Sequence, residues 1–231
     1  MVGRGESDRC QSKVVRHFTE IAAPQRSPEW HLARAGRLTG SRASDMLATI
    51  RSGEAAARRD YRLQLTCERL TGQPHESSYV NAEMQRGIDL EPAARGAYES
   101  AVGVLVRDSG FLAHNELMTG CSVDGDVDNY AGIVELKCPK AATHLRFIEG
   151  NVLPHEHQAQ VRHNLWITGA QWCDFVSYDD RFPCHLRLFR VRVAADDLDL
   201  PDYEKNALKF LAEVQSEVEC LQQLASSSIG V

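Results

Sequence analysis

Between Cys121 and Lys140 the chain reads CSVDGDVDNYAGIVELKCPK, and polar and apolar positions alternate along it with the period of an extended strand. Ile133, Glu135 and Lys137 share one face of a strand predicted over 132–138, while Val134, Leu136 and Cys138 share the other. Pro139 lacks a ladder donor and ends it. Cys121 to Val127 alternates in the same way, with Asp124 and Asp126 on one face and Val123 and Val127 on the other. The segment Asp128 to Gly132 has turn chemistry. A hairpin folded symmetrically about Asn129 and Tyr130 places Asp124 opposite Glu135.

The rest of the chain alternates between helical and extended patterns. Ser27 and Pro28 open a short helix to about Arg34, with a break at Gly36, and Thr39 or Ser41 caps a second helix to about Ile50. A third covers 55–71, with Leu63, Cys67 and Leu70 as its apolar stripe and Gly72 as its stop, and a fourth covers about 80–101. Strands follow at 104–114, 119–127 and 132–138, then a helix over 155–168 ending at Gly169 and strands at 171–178 and 185–193. A last helix over 202–225 carries Leu208, Leu211, Val214, Val218 and Leu221 on its stripe. Residues 1–20 show no periodicity and are expected to form a flexible arm. The pattern predicts an α/β fold in one domain, residues 1–231, with a mixed central β-sheet flanked by helices.

At 231 residues and 43% hydrophobic, the chain suffices for one well-buried core. No apolar run has the length of a membrane span or the shape of a signal peptide. Seven scattered cysteines without C-x-x-C pairs suit free thiols in a reducing compartment, so a cytoplasmic protein is expected. A net charge of −6 argues against a general nucleic-acid coat protein, though residues 34–59 are locally basic, with Arg34, Arg37, Arg42, Arg51, Arg58 and Arg59.

Carboxylates facing each other across a hairpin sit roughly 5 Å apart at Cβ and repel. A hard divalent cation turns that repulsion into coordination, since Mg²⁺ takes one or two carboxylates along with waters and phosphate oxygens. Lys137, on the face of Glu135, projects toward the same point, which suits phosphodiester cleavage. The same E-x-K also suits a solvated strand face with a salt bridge. Glu91 lies mid-helix beside Ala94, Arg95 and Tyr98, and Gln160 lies on a helix between His157 and His163; each also reads as an ordinary helical polar residue. His155, His157 and His163 lack the i, i+4 pairing of a zinc helix. Trp30 and Trp166 are expected in the core.

These residues together resemble the bacteriophage λ exonuclease (YqaJ-type alkaline exonuclease) family of the PD-(D/E)xK nuclease superfamily. WHLARAGRLTGS is similar to the family's W-x(3)-R-x-G-x-[IL]-T-x-S opening, and RGIDLEPAARGAYE to its G-x(3)-E-x(2)-AR-x(2)-[FY]E helix. CSVDGDV with GIVELKCP, AQVRHNLWITG and FVSYDDR follow in the family's order. The resemblance implies a restriction-endonuclease-like core. It makes Asp124, Glu135 and the backbone carbonyl of Leu136 the metal ligands, with Mg²⁺ (Mn²⁺ able to substitute) bound as two ions per site. Lys137 orients or activates the attacking water, and Glu91 and Gln160 support metal and water. Arg34, Ser41 and Arg51 form a pocket for a terminal 5′-phosphate, and Met84 is the wedge that separates the last base pairs.

The family further implies a processive 5′→3′ double-strand DNA exonuclease that leaves 3′ single-stranded overhangs for phage-type recombination. Such an enzyme forms a homotrimeric ring and works beside a single-strand annealing protein in a bacterial host. Two positions depart from the family: Val123 replaces a proline, and His114 stands where the λ-type enzyme has an aspartate, which puts a further carboxylate there in doubt. An endonuclease or repair nuclease on the same core, and a non-catalytic DNA-binding module, are the competing readings. The first has no use for a phosphate-end pocket, and intact Asp124, Glu135 and Lys137 argue against the second.

Overall fold

A computed structural model describes residues 16–75 and 81–228. In chain order the elements are β1 (Phe18–Ile21), α1 (Pro28–Arg34), β2 (Leu38–Thr39), α2 (Ala43–Met46), α3 (Ala56–Thr71), α4 (Ala82–Val102), β3 (Phe111–His114), β4 (Thr119–Cys121), β5 (Gly125–Val127), β6 (Gly132–Lys137), α5 (Ala141–Gly150), α6 (His155–Thr168), β7 (Trp172–Tyr178), β8 (Leu188–Ala194) and α7 (Leu200–Ser228). The expected mixed sheet flanked by helices is present, and its strands divide between two four-stranded sheets, ordered β1-β3-β4-β2 and β5-β6-β7-β8. Each sheet holds one parallel pair, β2 with β4 and β6 with β7.

The run predicted as one strand over 119–127 breaks where the chain passes between sheets, so β4 belongs to the first and β5 to the second. Crowding accounts for part of this: a Cβ on Gly125 would lie 2.1 Å from Val106 Cγ1. Asp124 sits at this seam, outside either ladder. The hairpin turns through Asp128, Asn129 and Tyr130, all at positive φ, and Val127 pairs with Gly132.

The second sheet is covered on both faces. Ile133, Cys173 and Phe175 pack against Phe147 of α5 and Val161 and Leu165 of α6. On the opposite face Val134, Leu136 and Val176 pack against Tyr98 of α4. A separate cluster joins α2, α3 and α7 through Met46, Tyr61, Leu65, Phe210 and Val214.

Several expectations are corrected. The arm assigned to residues 1–20 does not extend through Phe18–Ile21, which pairs antiparallel with β3; residues 1–15 lie outside those described. The helix expected to reach Ile50 is a 3₁₀ turn (Gly40–Arg42) followed by α2, because only Ala43 and Met46 find the core while Ile50 is 57% exposed. On α3 the stripe Leu63, Cys67 and Leu70 faces outward, and Tyr61, Leu65, Thr66 and Glu68 are buried. Polar partners decide this: Glu68 Oε2 accepts from Gly36 N at 2.7 Å, and the Tyr61 hydroxyl accepts from Thr39 N at 3.1 Å. Leu208 and Leu221 of α7 are likewise exposed, and α5 had no counterpart in the pattern. The α6 boundaries agree, with Gly169 as left-handed cap.

His163 on α6 is fully buried and bonded on both nitrogens, Nδ1 to Tyr203 Oη at 2.8 Å and Nε2 to Gly120 O at 2.9 Å. The carbonyl only accepts, so Nε2 carries the proton and Nδ1 accepts from the tyrosine. Burial holds the ring neutral, with its pKa lowered to about 4. Below about pH 6.5 the unfolded chain therefore binds a proton that the folded chain refuses, and stability falls toward pH 4 by up to about 3 kcal/mol. Thermal unfolding across pH 4–7.5 should show His163→Phe less stable than wild type at pH 7.5, by about 1–3 kcal/mol from the unpaired partners. The gap should narrow as pH falls below 6.5; a constant gap would contradict this account.

Candidate active site

The hairpin register sets Gly125 opposite Val134, and the same register extended by one residue sets Asp124 opposite Glu135. Asp124 Oδ2 accepts from Leu136 N at 2.7 Å, which ties the seam to the adjacent strand and aims its carboxylate at β6. Arg95 of α4 donates to Asp124 O at 2.7 Å and pairs with Asp108 at 2.7 Å. Glu135 is 1% exposed. Its Oε1 accepts from Lys137 Nζ and, at 2.5 Å, from Gln160 Nε2, and its Oε2 accepts from Asn164 Nδ2 at 3.0 Å.

Burial pushes the Glu135 carboxyl up to about 7; Lys137 opposes this, while Asp124 and Glu91 add to it. Burial would lower the Lys137 pKa, but Glu135, Asp124 and Glu91 outweigh it and raise it, so the ammonium stays charged. Glu91 on α4 is raised as well, by burial and then by Asp124, and meets Arg26 at 3.4 Å. The expected residues Asp124, Glu135, Lys137, Glu91 and Gln160 thus lie within one electrostatic neighbourhood. Asn164 and Arg95 were not among the expected functional residues. The signal for each was helical spacing, since Asn164 is four residues after Gln160 and Arg95 four after Glu91.

The donor set suits a hard cation: two carboxylates, with the Leu136 carbonyl one residue on from Glu135 in β6. Among the described residues no three His, Cys, Asp or Glu side chains gather into a metal cluster, so further ligands would be backbone, water or substrate oxygens. His155 is exposed, and His157 and His163 are packed against aromatic rings. The six cysteines among the described residues are free thiols.

Arg34 and Ser41 come together, Nη2 to Oγ at 3.3 Å, with the guanidinium 4.0 Å from the Trp30 ring. Trp30 is half-buried rather than core, and its Nε1 donates to Ser122 Oγ at 3.0 Å, two residues before Asp124. The Arg34–Ser41 pair and the acid pair are therefore linked through Trp30 and Ser122. Arg51 lies in the exposed loop between α2 and α3 and takes no part in the Arg34–Ser41 contact. Met84 is exposed in the first turn of α4. That turn is moored beside the end of β6, where Arg86 donates to Pro139 O at 3.3 Å and pairs with Asp179 at 3.0 Å. His114 ends β3 away from the acids, and its Nδ1 accepts from Glu116 N at 3.1 Å and Leu117 N at 3.0 Å. It closes a turn, as an aspartate side chain does.

The YqaJ-like viral recombinase domain model matches residues 29–171, and the chain belongs to that family. The fold and acid cluster accordingly define a viral recombination nuclease class. Two solved structures of LHK-Exo, an alkaline exonuclease from Laribacter hongkongensis, one of them in complex with dAMP, are 39% and 38% identical to this chain. They cover 87% of it and 99% of their own, with TM-scores of 0.78 and 0.77. A phage-related exonuclease from Haemophilus somnus 129PT shares the fold, at 13% identity and a TM-score of 0.61 over 82% of this chain and 96% of that one. No curated protein matches.

Lys137→Ala should lower kcat about 10²–10³-fold, as loss of a preorganised charge at a reacting phosphate does, while leaving the fold intact. Single-turnover digestion of linear duplex, with circular dichroism as control, checks this. In wild type the rate should climb with pH toward and through neutrality if it depends on the ionised form of Glu135, whose carboxyl burial raises to about 7.

Proposed function

We propose that this chain is a Mg²⁺-dependent, processive 5′→3′ exonuclease on double-stranded DNA, leaving 3′ overhangs for recombination by strand annealing. The observation that carries the reading is the Glu135 carboxylate, buried and held by Lys137, Gln160 and Asn164 beside Asp124. Membership of the recombinase family and similarity to LHK-Exo support the same reaction class.

Asp124, Glu135 and the Leu136 carbonyl are the residues to hold Mg²⁺, with two ions per site. Bound there, Mg²⁺ supplies Lewis-acid stabilisation of charge on the phosphate and a more acidic water. Lys137, being protonated, donates to a phosphate or water oxygen and does not serve as a general base. Gln160 holds Glu135 Oε1 together with Lys137, so that this ammonium and carboxylate keep one relative position. Glu91, nearest to Asp124 in its charge effect, supports the outer side of the site.

Arg34, Ser41 and Arg51 take the 5′-phosphate and so define the end at which cutting starts. Arg51, exposed in the loop between α2 and α3, joins the pocket only when that loop moves onto bound substrate. Met84, exposed in the first turn of α4, separates the terminal base pairs. Subunits assemble as a homotrimeric ring beside a single-strand annealing protein in the bacterial cytoplasm. Among the described residues no helix is long and apolar enough to cross a membrane.

With Mg²⁺ the protein should degrade 5′-phosphorylated linear duplex, spare closed circles and stall on 5′-hydroxyl ends. Arg34→Ala and Arg51→Ala should each erase the preference for phosphorylated ends. Equal loss on both kinds of end would refute the pocket, and cleavage of closed circles would refute the exonuclease.

A further inference from the structure

We infer that Asn164 is a positioning residue for the metal-binding carboxylate: its amide fixes the second oxygen of Glu135 and thereby the orientation in which Glu135 and Asp124 take a divalent cation. The inference rests on the metal-dependent reading above.

Gln160 and Lys137 both address Oε1 of Glu135. The terminal torsion of a glutamate is broad and roughly two-fold, so a carboxylate held through one oxygen can still turn about that contact. Asn164 removes this freedom by donating to Oε2 at 3.0 Å. Its own placement is unusual in one respect. The side chain is 1% exposed, yet Oδ1 has no hydrogen-bond partner among the described residues. A buried, unpaired amide oxygen is destabilising. The bond from Nδ2 to Glu135 is the contact that offsets it. The reverse amide orientation would set Oδ1 against Oε2, acceptor against acceptor, so the charge of Glu135 chooses the rotamer.

The amide is also braced from behind. A Cβ at position 40 would fall 2.4 Å from Asn164 Oδ1, so the 3₁₀ turn bearing Ser41 lies directly on it. Glycine at this position is a packing requirement: any side chain would displace the amide or the turn. His163, the preceding residue, locks the same turn of α6 to Gly120 and Tyr203. Asn164 therefore cannot swing away from Glu135 without moving α6 or the turn at Gly40.

The test is equilibrium Mn²⁺ binding to the DNA-free protein, followed by the electron paramagnetic resonance of free Mn²⁺. Wild type is compared with Asn164→Leu, which keeps the branched shape and removes the donor, and with Gly40→Ala, which crowds the amide from the other side. Asn164→Leu should bind Mn²⁺ about 10–100-fold more weakly, the usual loss when a group orienting a metal ligand is removed. Nuclease activity should recover most of the wild-type rate at saturating Mn²⁺, a split that a general loss of stability would not produce. Gly40→Ala should weaken Mn²⁺ binding in the same direction, and it decides the matter if Asn164→Leu fails to fold. A folded Asn164→Leu, or in its absence a folded Gly40→Ala, with wild-type Mn²⁺ affinity overturns the inference and leaves the metal-dependent reading standing. Failure of the wild-type protein to bind Mn²⁺ overturns both.

Discussion

Everything around β6 is arranged to bury one carboxylate. An unpaired ionised Glu135 in this interior would be strongly unfavourable, and burial alone would raise its pKa until it took up a proton. Three donors offset the desolvation, one from the same strand and two from successive turns of α6. That division of labour fixes α6 against the sheet more tightly than apolar contact alone, because Gln160 and Asn164 each have a single atom to reach. The other face of the same helix turn is tied through His163 to β4 and α7. The C-terminal helix, remote from the chemistry, thus helps to decide where Glu135 points.

The second acid depends on the seam between the sheets. Had β4 continued into β5, the backbone at 122–124 would be committed to one ladder. Because the strand breaks, Asp124 turns its carboxylate onto Leu136 N and presents its carbonyl to Arg95. Ser122, in the same break, receives Trp30, whose ring carries Arg34. A short irregular stretch between two sheets therefore links the acid pair to Arg34. This arrangement suits a substrate whose end must be anchored while a neighbouring bond is cut.

The sequence made this centre legible because its period and its chemistry agreed. Strict alternation over 132–138 and a symmetric turn were enough to set Asp124 opposite Glu135. On α6, Gly169 marked the C-terminal end, which it caps in the left-handed conformation. Legibility failed where burial was decided by partners elsewhere in the chain. Leu63, Cys67 and Leu70 look like the inner face of α3, yet Tyr61 and Glu68 go inside because Thr39 and Gly36 offer their amides. In α5 the buried polar residue is His144, bonded to Ser177 Oγ at 2.7 Å and Leu186 O at 2.8 Å, so no apolar stripe marks that face. For β1, four residues are too few to display a period, and the strand exists because β3 has an open edge. Asn164 was overlooked for the same reason as Glu68: a buried polar residue is identified by what it touches.

The charge of the site bears on how an acidic protein meets a polyanion. Asp124 raises the proton affinity of both Glu91 and Glu135, and Lys137 is already engaged by Glu135. The neighbouring arginines are engaged too: Arg26 by Glu91, Arg95 by Asp108, and Arg86 by Asp179 and Asp180. A phosphodiester approaching this surface meets acids whose nearest cations are in use, and like charges at short range in a partly buried site are poorly screened. Productive approach therefore requires an added positive charge at the acid pair. On the metal-dependent reading, the cluster that repels DNA when empty becomes a place on an acidic chain where the scissile phosphate is held and polarised.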